Sequence, residues 1–197
     1  MPEKLRFEEK PRVPPVATRR KVLEAAAELL DGPGYPCATI EAIAAKAGVA
    51  KTTIYRWWPS KAAVLLDLFD TISDKTILDP ESGNVVTDLK IYLKALRELM
   101  TGTVAGKAAA GMAAEAHANP QMKDEIWAHF SQFRQAVVRE IIDRALVTGE
   151  IRNDIGRGQI DDLVTGTFWY RLLTIHSPMS AEECDAHVDA VLSGLAP

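Results

Sequence analysis

The sequence predicts an all-α protein, in which an N-terminal three-helix domain precedes a longer helical domain. Apolar residues recur three and four positions apart along most of the 197-residue chain, and no segment alternates as a strand does. The stretch from Thr39 to Lys61 contains two short helices separated by a glycine. The charge is distributed unevenly along the chain. Residues 1–62 hold 11 Lys/Arg and 7 Asp/Glu, whereas residues 63–197 hold 12 Lys/Arg and 20 Asp/Glu. This asymmetry is expected when only the first part meets phosphate.

The overall composition indicates a soluble globular protein. Hydrophobic residues make up 47% and charged residues 25% of the chain, which is ordinary for such proteins. No apolar run approaches the ~20 residues of a membrane helix, and the N-terminus carries acids and prolines, so we expect a cytoplasmic location. Cys37 and Cys184 lie far apart, and their spacing favours neither a disulfide framework nor a zinc site.

The first three segments of the chain have different predicted roles. Residues 1–16 are predicted to form a flexible arm because their prolines oppose a helix. Two interpretations of the arm's cations stay open, contact with a DNA backbone and a solvated tail. A first helix is predicted from Thr18, as its N-cap, to Asp31. Three cations crowd its first turn beside the positive helix end, which indicates an external anion such as phosphate.

The stretch Thr39–Lys61 has the local signals of a helix-turn-helix. Thr39 is a suitable N-cap, and Gly48 ends the first helix because glycine adopts the left-handed C′ conformation at low cost. A second helix is predicted from Ala50 or Lys51 to Trp57 or Trp58, since Pro59 disfavours a helical predecessor. In such motifs the second helix lies in a DNA major groove.

The second helix has one apolar face and one polar face. Ile54 and Trp58 are four residues apart and are predicted to face the core. For Tyr55 and Trp57 both core packing and DNA contact are open interpretations, with polar neighbours favouring DNA contact for Tyr55. Hydroxyls and cations reach phosphates and base edges, and aromatic rings contact thymine methyl groups. We expect DNA contacts from the following residues: Arg19, Arg20, Thr39, Lys51, Thr52, Thr53, Tyr55, Arg56, Trp57 and Lys61.

In this region the chain resembles the tetracycline-repressor (TetR) family. The turn Ala47-Gly48-Val49-Ala50-Lys51, then Thr53-Ile54-Tyr55-Arg56, then Pro59-Ser60-Lys61 match the family's DNA-binding signature in order and without a gap. The resemblance covers roughly residues 17–70. Trp57-Trp58 stands where the family more often has a less bulky pair ending in phenylalanine, so Trp58 is expected to replace that core ring. The resemblance implies a helix-turn-helix DNA-binding domain at 17–62 and a ligand-binding and dimerisation domain at 63–197.

The second domain is predicted to be helical throughout. Residues 77–85, which contain proline, glycine and asparagine, mark the boundary region, and residues 156–159 are predicted to form a loop. The predicted helices span residues 60–75, 86–101, 103–118, 121–148, 160–175 and 181–195. In the family that this chain resembles, the helix at 60–75 transmits the ligand signal.

The last two helices are the predicted dimer interface. The resemblance implies that they form a four-helix bundle with their copies in a second subunit. The helix at 160–175 is apolar on most sides, which indicates partners on two faces. The expected interface residues are Leu163, Thr167, Tyr170, Arg171, Thr174, Val188 and Val191.

Aromatic and methionine residues near glycines 102, 106 and 111 are candidates for an apolar ligand pocket. The candidates are Met100, Met112, His117, Trp127, Phe130, Phe133 and Trp169. Plain core packing is the alternative for each of them. A ligand of such a pocket would be hydrophobic or amphipathic.

Catalysis has little support in the sequence. The four histidines are scattered, and neither a GxSxG turn nor a phosphate-cradling glycine loop occurs. We therefore predict no enzyme activity, metal or cofactor. The predicted function is a homodimeric transcriptional repressor that a small effector releases from a double-stranded DNA operator. The alternatives are an activator or global DNA binder without a ligand, and a helical ligand-binding protein without DNA function.

Overall fold

The computed structural model describes residues 14–197, apart from the side chains of 117, 118, 120–122, 125, 127 and 130–136. The described residues form nine α-helices, one short 3₁₀ helix and no strand, so the all-α prediction is confirmed. The α-helices are α1 (Val16–Asp31), α2 (Ile40–Ala47), α3 (Lys51–Trp57), α4 (Lys61–Thr76), α5 (Val85–Gly102), α6 (Val104–Ala118), α7 (Pro120–Thr148), α8 (Arg157–Leu173) and α9 (Ala181–Ser193). The 3₁₀ helix spans Tyr35–Cys37.

The chain divides into two compact units, the first ending at Leu65 and the second beginning at Leu66. The boundary that the sequence predicts, after residue 62, lies three residues earlier. The division falls inside α4, so this helix contributes residues to both units. The N-terminal arm predicted at 1–16 lies almost wholly outside the described residues.

In the first unit, α1 and α2 pack together and α3 packs on α2. Val22, Ala26, Ile43 and Ile54 are fully buried there, and each follows the helical spacing of its own segment. Thr18 is not the N-cap of α1, contrary to the prediction. The helix begins earlier, at Val16, with Pro15 as its N-cap residue, a position where the missing N–H of proline removes no helical hydrogen bond.

In the second unit, α5 is the central helix and packs against α6, α7 and α9. Its apolar stripe is buried, with Leu89, Leu93 and Leu96 fully enclosed. Residues 157–159, predicted as loop, are the first turn of α8. The Gln159 side chain accepts a hydrogen bond from the Gly156 amide at 3.3 Å, and this cap starts the helix before the apolar pattern begins.

A partly buried ion cluster ties the segment after α4 to the core of the second unit. Arg144 on α7 donates to both Asp79 oxygens, at 2.5 and 2.7 Å, and to Asp88 Oδ2 at 3.3 Å. Asp88 is almost fully buried, and its other oxygen accepts from the Ser82 amide at 2.9 Å. The hydrogen bond from Arg144 lowers the pKa of Asp79, so this carboxylate stays ionised and paired at neutral pH.

Candidate nucleic-acid interface

The turn between α2 and α3 is built as the sequence predicts. Thr39 Oγ1 accepts a hydrogen bond from the Ala42 amide at 3.2 Å, which caps α2. Gly48 has a φ of 66° and donates its amide to the last carbonyls of α2. A residue with a Cβ is strained in this left-handed conformation, so the glycine sets the point at which the chain leaves α2 and enters α3.

The helix α3 divides its side chains between the core and the surface. Ile54 and Trp58 are buried, which confirms the core position predicted for Trp58. Tyr55 is 51% exposed, so it is the exposed member of the aromatic group. Its neighbours Lys51, Thr52 and Arg56 are also exposed. Thr53 and Trp57 are half-buried.

Lys51 has a partner within the first unit. Its Nζ donates to Glu41 Oε1, in the first turn of α2, at 3.3 Å. The pKa of Glu41 is lowered, first by a hydrogen bond from its own backbone amide and then by Lys51. The sequence alone does not predict this pair. The spacing of ten residues across a turn is not a helical one, so helical periodicity carries no signal for it.

Lys61, which is expected to contact DNA, makes two contacts within the protein. Its Nζ donates to the Tyr35 carbonyl at 3.2 Å and lies 3.5 Å from the centre of the Tyr35 ring. This cation–π contact fixes the 3₁₀ helix to the start of α4. Ser60 caps α4 by accepting from the Ala63 amide at 3.0 Å.

The remaining candidates lie along the outer parts of α1 and α2. Arg20 is exposed, with its Nε 3.9 Å from Glu24 Oε1. This separation is longer than a hydrogen bond, so the pair leaves the guanidinium available to another anion. Arg19 is half-buried, and Thr39 is exposed at the start of α2. The first unit thus presents hydroxyls, cations and one tyrosine around a helix-turn-helix.

Comparison with known proteins identifies the family. Residues 22–68 match the model described as bacterial regulatory proteins of the tetR family. Residues 79–191 match the model described as the tetracyclin repressor-like C-terminal domain. The chain belongs to the TetR family. It is a DNA-binding transcriptional regulator with a helix-turn-helix.

Relatives agree with this assignment over most of their lengths. The uncharacterized HTH-type transcriptional regulator YdeS of Bacillus subtilis is 30% identical over 79% of this chain and 78% of YdeS. The TetR-family regulator SCO0332, whose crystal structure is known, is 32% identical in sequence. The structural match covers 91% of this chain and 99% of SCO0332, with a TM-score of 0.76. FadR from Bacillus subtilis, whose structure was solved in complex with stearoyl-CoA, shares the fold. It is 20% identical, the match covers 88% of this chain and 95% of FadR, and the TM-score is 0.62.

The structure describes only some of the candidate ligand residues of this TetR-family protein. Met100 and Met112 are buried in the second unit, and Trp169 is half-buried. The Trp169 indole N–H is buried without a hydrogen-bond partner. The side chains of His117, Trp127, Phe130 and Phe133 lie outside the described residues. A separate open groove of about 580 Å³ is lined by residues including Leu146, Arg152 and Pro197, and by none of the candidates.

The candidate dimer residues fall into two groups in the structure. Leu163 and Tyr170 are 47% and 56% exposed, and Thr167 and Thr174 are also exposed. The four recur at helical spacing along α8 and its C-cap residue, Thr174. Val188 on α9 instead belongs to the core of its own unit and does not reach this exposed surface. Val191 and Arg171 are half-buried, and Arg171 Nη1 donates to Glu183 at 2.8 Å.

Metal-binding clusters and membrane-spanning helices are both absent from the described residues. Within them, His, Cys, Asp and Glu side chains form no group of three that would hold a metal ion. No helix in that part of the chain is long and apolar enough to cross a membrane.

Proposed function

We propose that this protein is a homodimeric repressor that leaves its operator when a small hydrophobic or amphipathic molecule binds the second unit. The observation that carries the proposal is the exposed polar and aromatic face of α3, with Lys51, Tyr55 and Arg56 on it. Specific DNA binding by a helix-turn-helix this small requires two copies about 34–36 Å apart, one DNA turn. Repression is the simplest output, because a dimer that covers an operator excludes polymerase without contacting it.

The exposed stripe formed by Leu163, Thr167 and Tyr170 of α8 and by its C-cap residue Thr174 supports the dimer. Large apolar side chains aligned on one helix face indicate a protein contact. Two copies of α8 and α9 would bury this stripe in a four-helix bundle with two-fold symmetry. The stripe holds no charged residue, so its burial leaves no unpaired charge.

The dimer prediction is tested by the double change Leu163→Glu and Tyr170→Glu. Each subunit would place two carboxylates in an apolar contact, and burying unpaired charge is costly. We expect the molecular mass in solution to halve and operator affinity to fall at least about tenfold. Sedimentation equilibrium measures the mass. Ile91→Glu, at another exposed apolar position, is the matched control and should remain dimeric; an unchanged mass in the double variant would contradict this interface.

The ligand part of the proposal rests on the apolar interior of the second unit. Met100 and Met112 are buried there and would provide adaptable apolar walls, and the unpartnered Trp169 N–H would donate to one polar atom of a ligand. Stearoyl-CoA in the FadR structure is a ligand of the amphipathic class proposed here.

A route from α7 to α4 is available within the second unit. His129 Nε2 on α7 is 2.8 Å from Asp70 Oδ1 on α4. The candidate ligand residues Trp127, Phe130 and Phe133 are also on α7. A ligand that binds one conformation of α7 better than another would bias α4 through this contact. Because α4 also contributes residues to the first unit, we propose that it carries the change to α3.

A series of fatty acids and their CoA thioesters tests the ligand class. A binder at ~100 times its Kd should stabilise the protein by about 2.7 kcal/mol and weaken operator binding. Trp169→Phe keeps the ring and removes the N–H, so it should weaken ligand binding without changing operator affinity. Coenzyme A alone is the head-group control. If no compound changes the melting temperature or operator binding, the alternative of a ligand-free activator or global DNA binder is favoured.

A further inference from the structure

The carboxylate of Glu41, on α2, lies beside the first residue of the proposed recognition helix α3. Glu41 Oε1 lies 3.3 Å from Lys51 Nζ, and the two side chains are 63% and 55% exposed. Lys51 is the first residue of α3, and residues in this part of a recognition helix reach base edges. Glu41 therefore lies where DNA phosphates would repel it.

The pair changes what Lys51 contributes to DNA binding. Nonspecific binding depends on cations that neutralise phosphates and release counterions. A lysine paired with a carboxylate adds no net charge to the surface, so it contributes little to that kind of binding. An ammonium group has three N–H donors, and one bond to Glu41 leaves two. Guanine presents two acceptors, O6 and N7, in the major groove.

We propose that Glu41 is a positioning residue that directs Lys51 to a guanine edge and withholds it from the phosphate backbone. The proposal rests on the operator recognition proposed above and adds how specificity arises. On nonspecific DNA, Lys51 must leave Glu41 to reach a phosphate, and the exposed carboxylate then repels the backbone. On the operator, Lys51 keeps Glu41 as a partner and donates its other two N–H groups to guanine.

The first test is the salt dependence of binding to a duplex of scrambled sequence, with the full-length dimer. Glu41→Gln releases Lys51, so each subunit should neutralise one more phosphate. The slope of log K against log salt should become steeper by about 0.9 per subunit, and affinity at 0.1 M salt should rise about eightfold for each added contact. An unchanged slope would overturn the proposal.

A double-mutant cycle separates positioning from simple repulsion. If Glu41 acts through Lys51, then Glu41→Gln should not steepen the slope in a Lys51→Gln background. An equal slope change in both backgrounds would overturn the proposal, because the effect would be that of charge alone. Glu28→Gln is the matched control: it breaks the Glu28–Lys46 pair, 2.7 Å long and outside α3, and should leave the slope within experimental error.

The second test measures base preference by selection from a randomised duplex pool. The wild-type protein should enrich one guanine per half-site that Glu41→Gln no longer prefers, and the ratio of operator to nonspecific affinity should fall about tenfold. Retention of the same guanine preference would overturn the positioning role. If the wild type enriches no sequence, the proposed operator recognition fails, and this result is distinct from the salt-slope result on scrambled DNA.

Discussion

Replacing Gly106 by alanine should strongly destabilise the second unit. A Cβ on Gly106 would lie 2.5 Å from the carbonyl carbon and 2.8 Å from the Cα of Met100, at the end of the preceding helix. These are backbone atoms, so no side chain can turn away to make room. The bend between α5 and α6 would open, although Thr103 holds it by donating to the Leu99 carbonyl at 2.7 Å and accepting from the Ala105 amide.

We expect Gly106→Ala to cost about 3 kcal/mol or more, at the upper end for overpacking a core. The melting temperature should fall by about 10 °C, measured by circular dichroism. Gly158→Ala is the control, because a Cβ there meets no atom within 4 Å and alanine is the better helix former. Equal melting temperatures for Gly106→Ala and the wild type would show that the bend does not require glycine.

The combined change Lys51→Ala and Tyr55→Ala should nearly abolish operator binding. Each base contact that is lost costs about 1–3 kcal/mol, and a dimer loses each contact twice. We expect the Kd for the operator to rise at least about 100-fold. Fluorescence anisotropy with a labelled operator duplex measures this, with excess competitor DNA present because nonspecific binding is largely electrostatic.

The melting temperature should not change in this double variant, because both side chains are exposed and surface substitutions usually change stability little. Lys75→Ala, which removes an exposed cation from the second unit, serves as the matched control. Operator affinity within twofold of the wild type would rule out α3 as the recognition helix.

The helix-turn-helix could be predicted in detail because its signals are local. Thr39 caps the helix that follows it, and Gly48 ends that helix, so both act within a few residues along the chain. Ile54 and Trp58 share a face through helical spacing alone. Each of these predictions needs only the geometry of one helix and its ends.

Contacts between distant parts of the chain could not be predicted in this way. Arg144 meets Asp79 and Asp88 across more than fifty residues of sequence, and its partners are set by how α7 packs on α5. The bond from Lys61 to the Tyr35 carbonyl depends in the same way on where the 3₁₀ helix lies. The sequence showed that these charges exist, and only the fold shows how they pair.

Local signals also compete, and the competition explains the boundary errors. Thr18 and Pro15 both suit a helix start, and the chain uses Pro15. Gly156 and Gly158 suggested a loop, but the bond between Gln159 and Gly156 starts α8 there. A single capping bond decided this boundary, against the low helix propensity of Gly158.

The central claim is that this TetR-family protein binds a specific DNA operator as a dimer. A gel shift with DNA from just upstream of its own coding region, at two salt concentrations and with excess nonspecific competitor, tests it most directly. We expect a competitor-resistant band of the size of a dimer complex, which the Lys51→Ala, Tyr55→Ala variant does not form. Selection from genomic fragments extends the measurement to distant operators. The absence of any competitor-resistant fragment in both measurements would contradict the account.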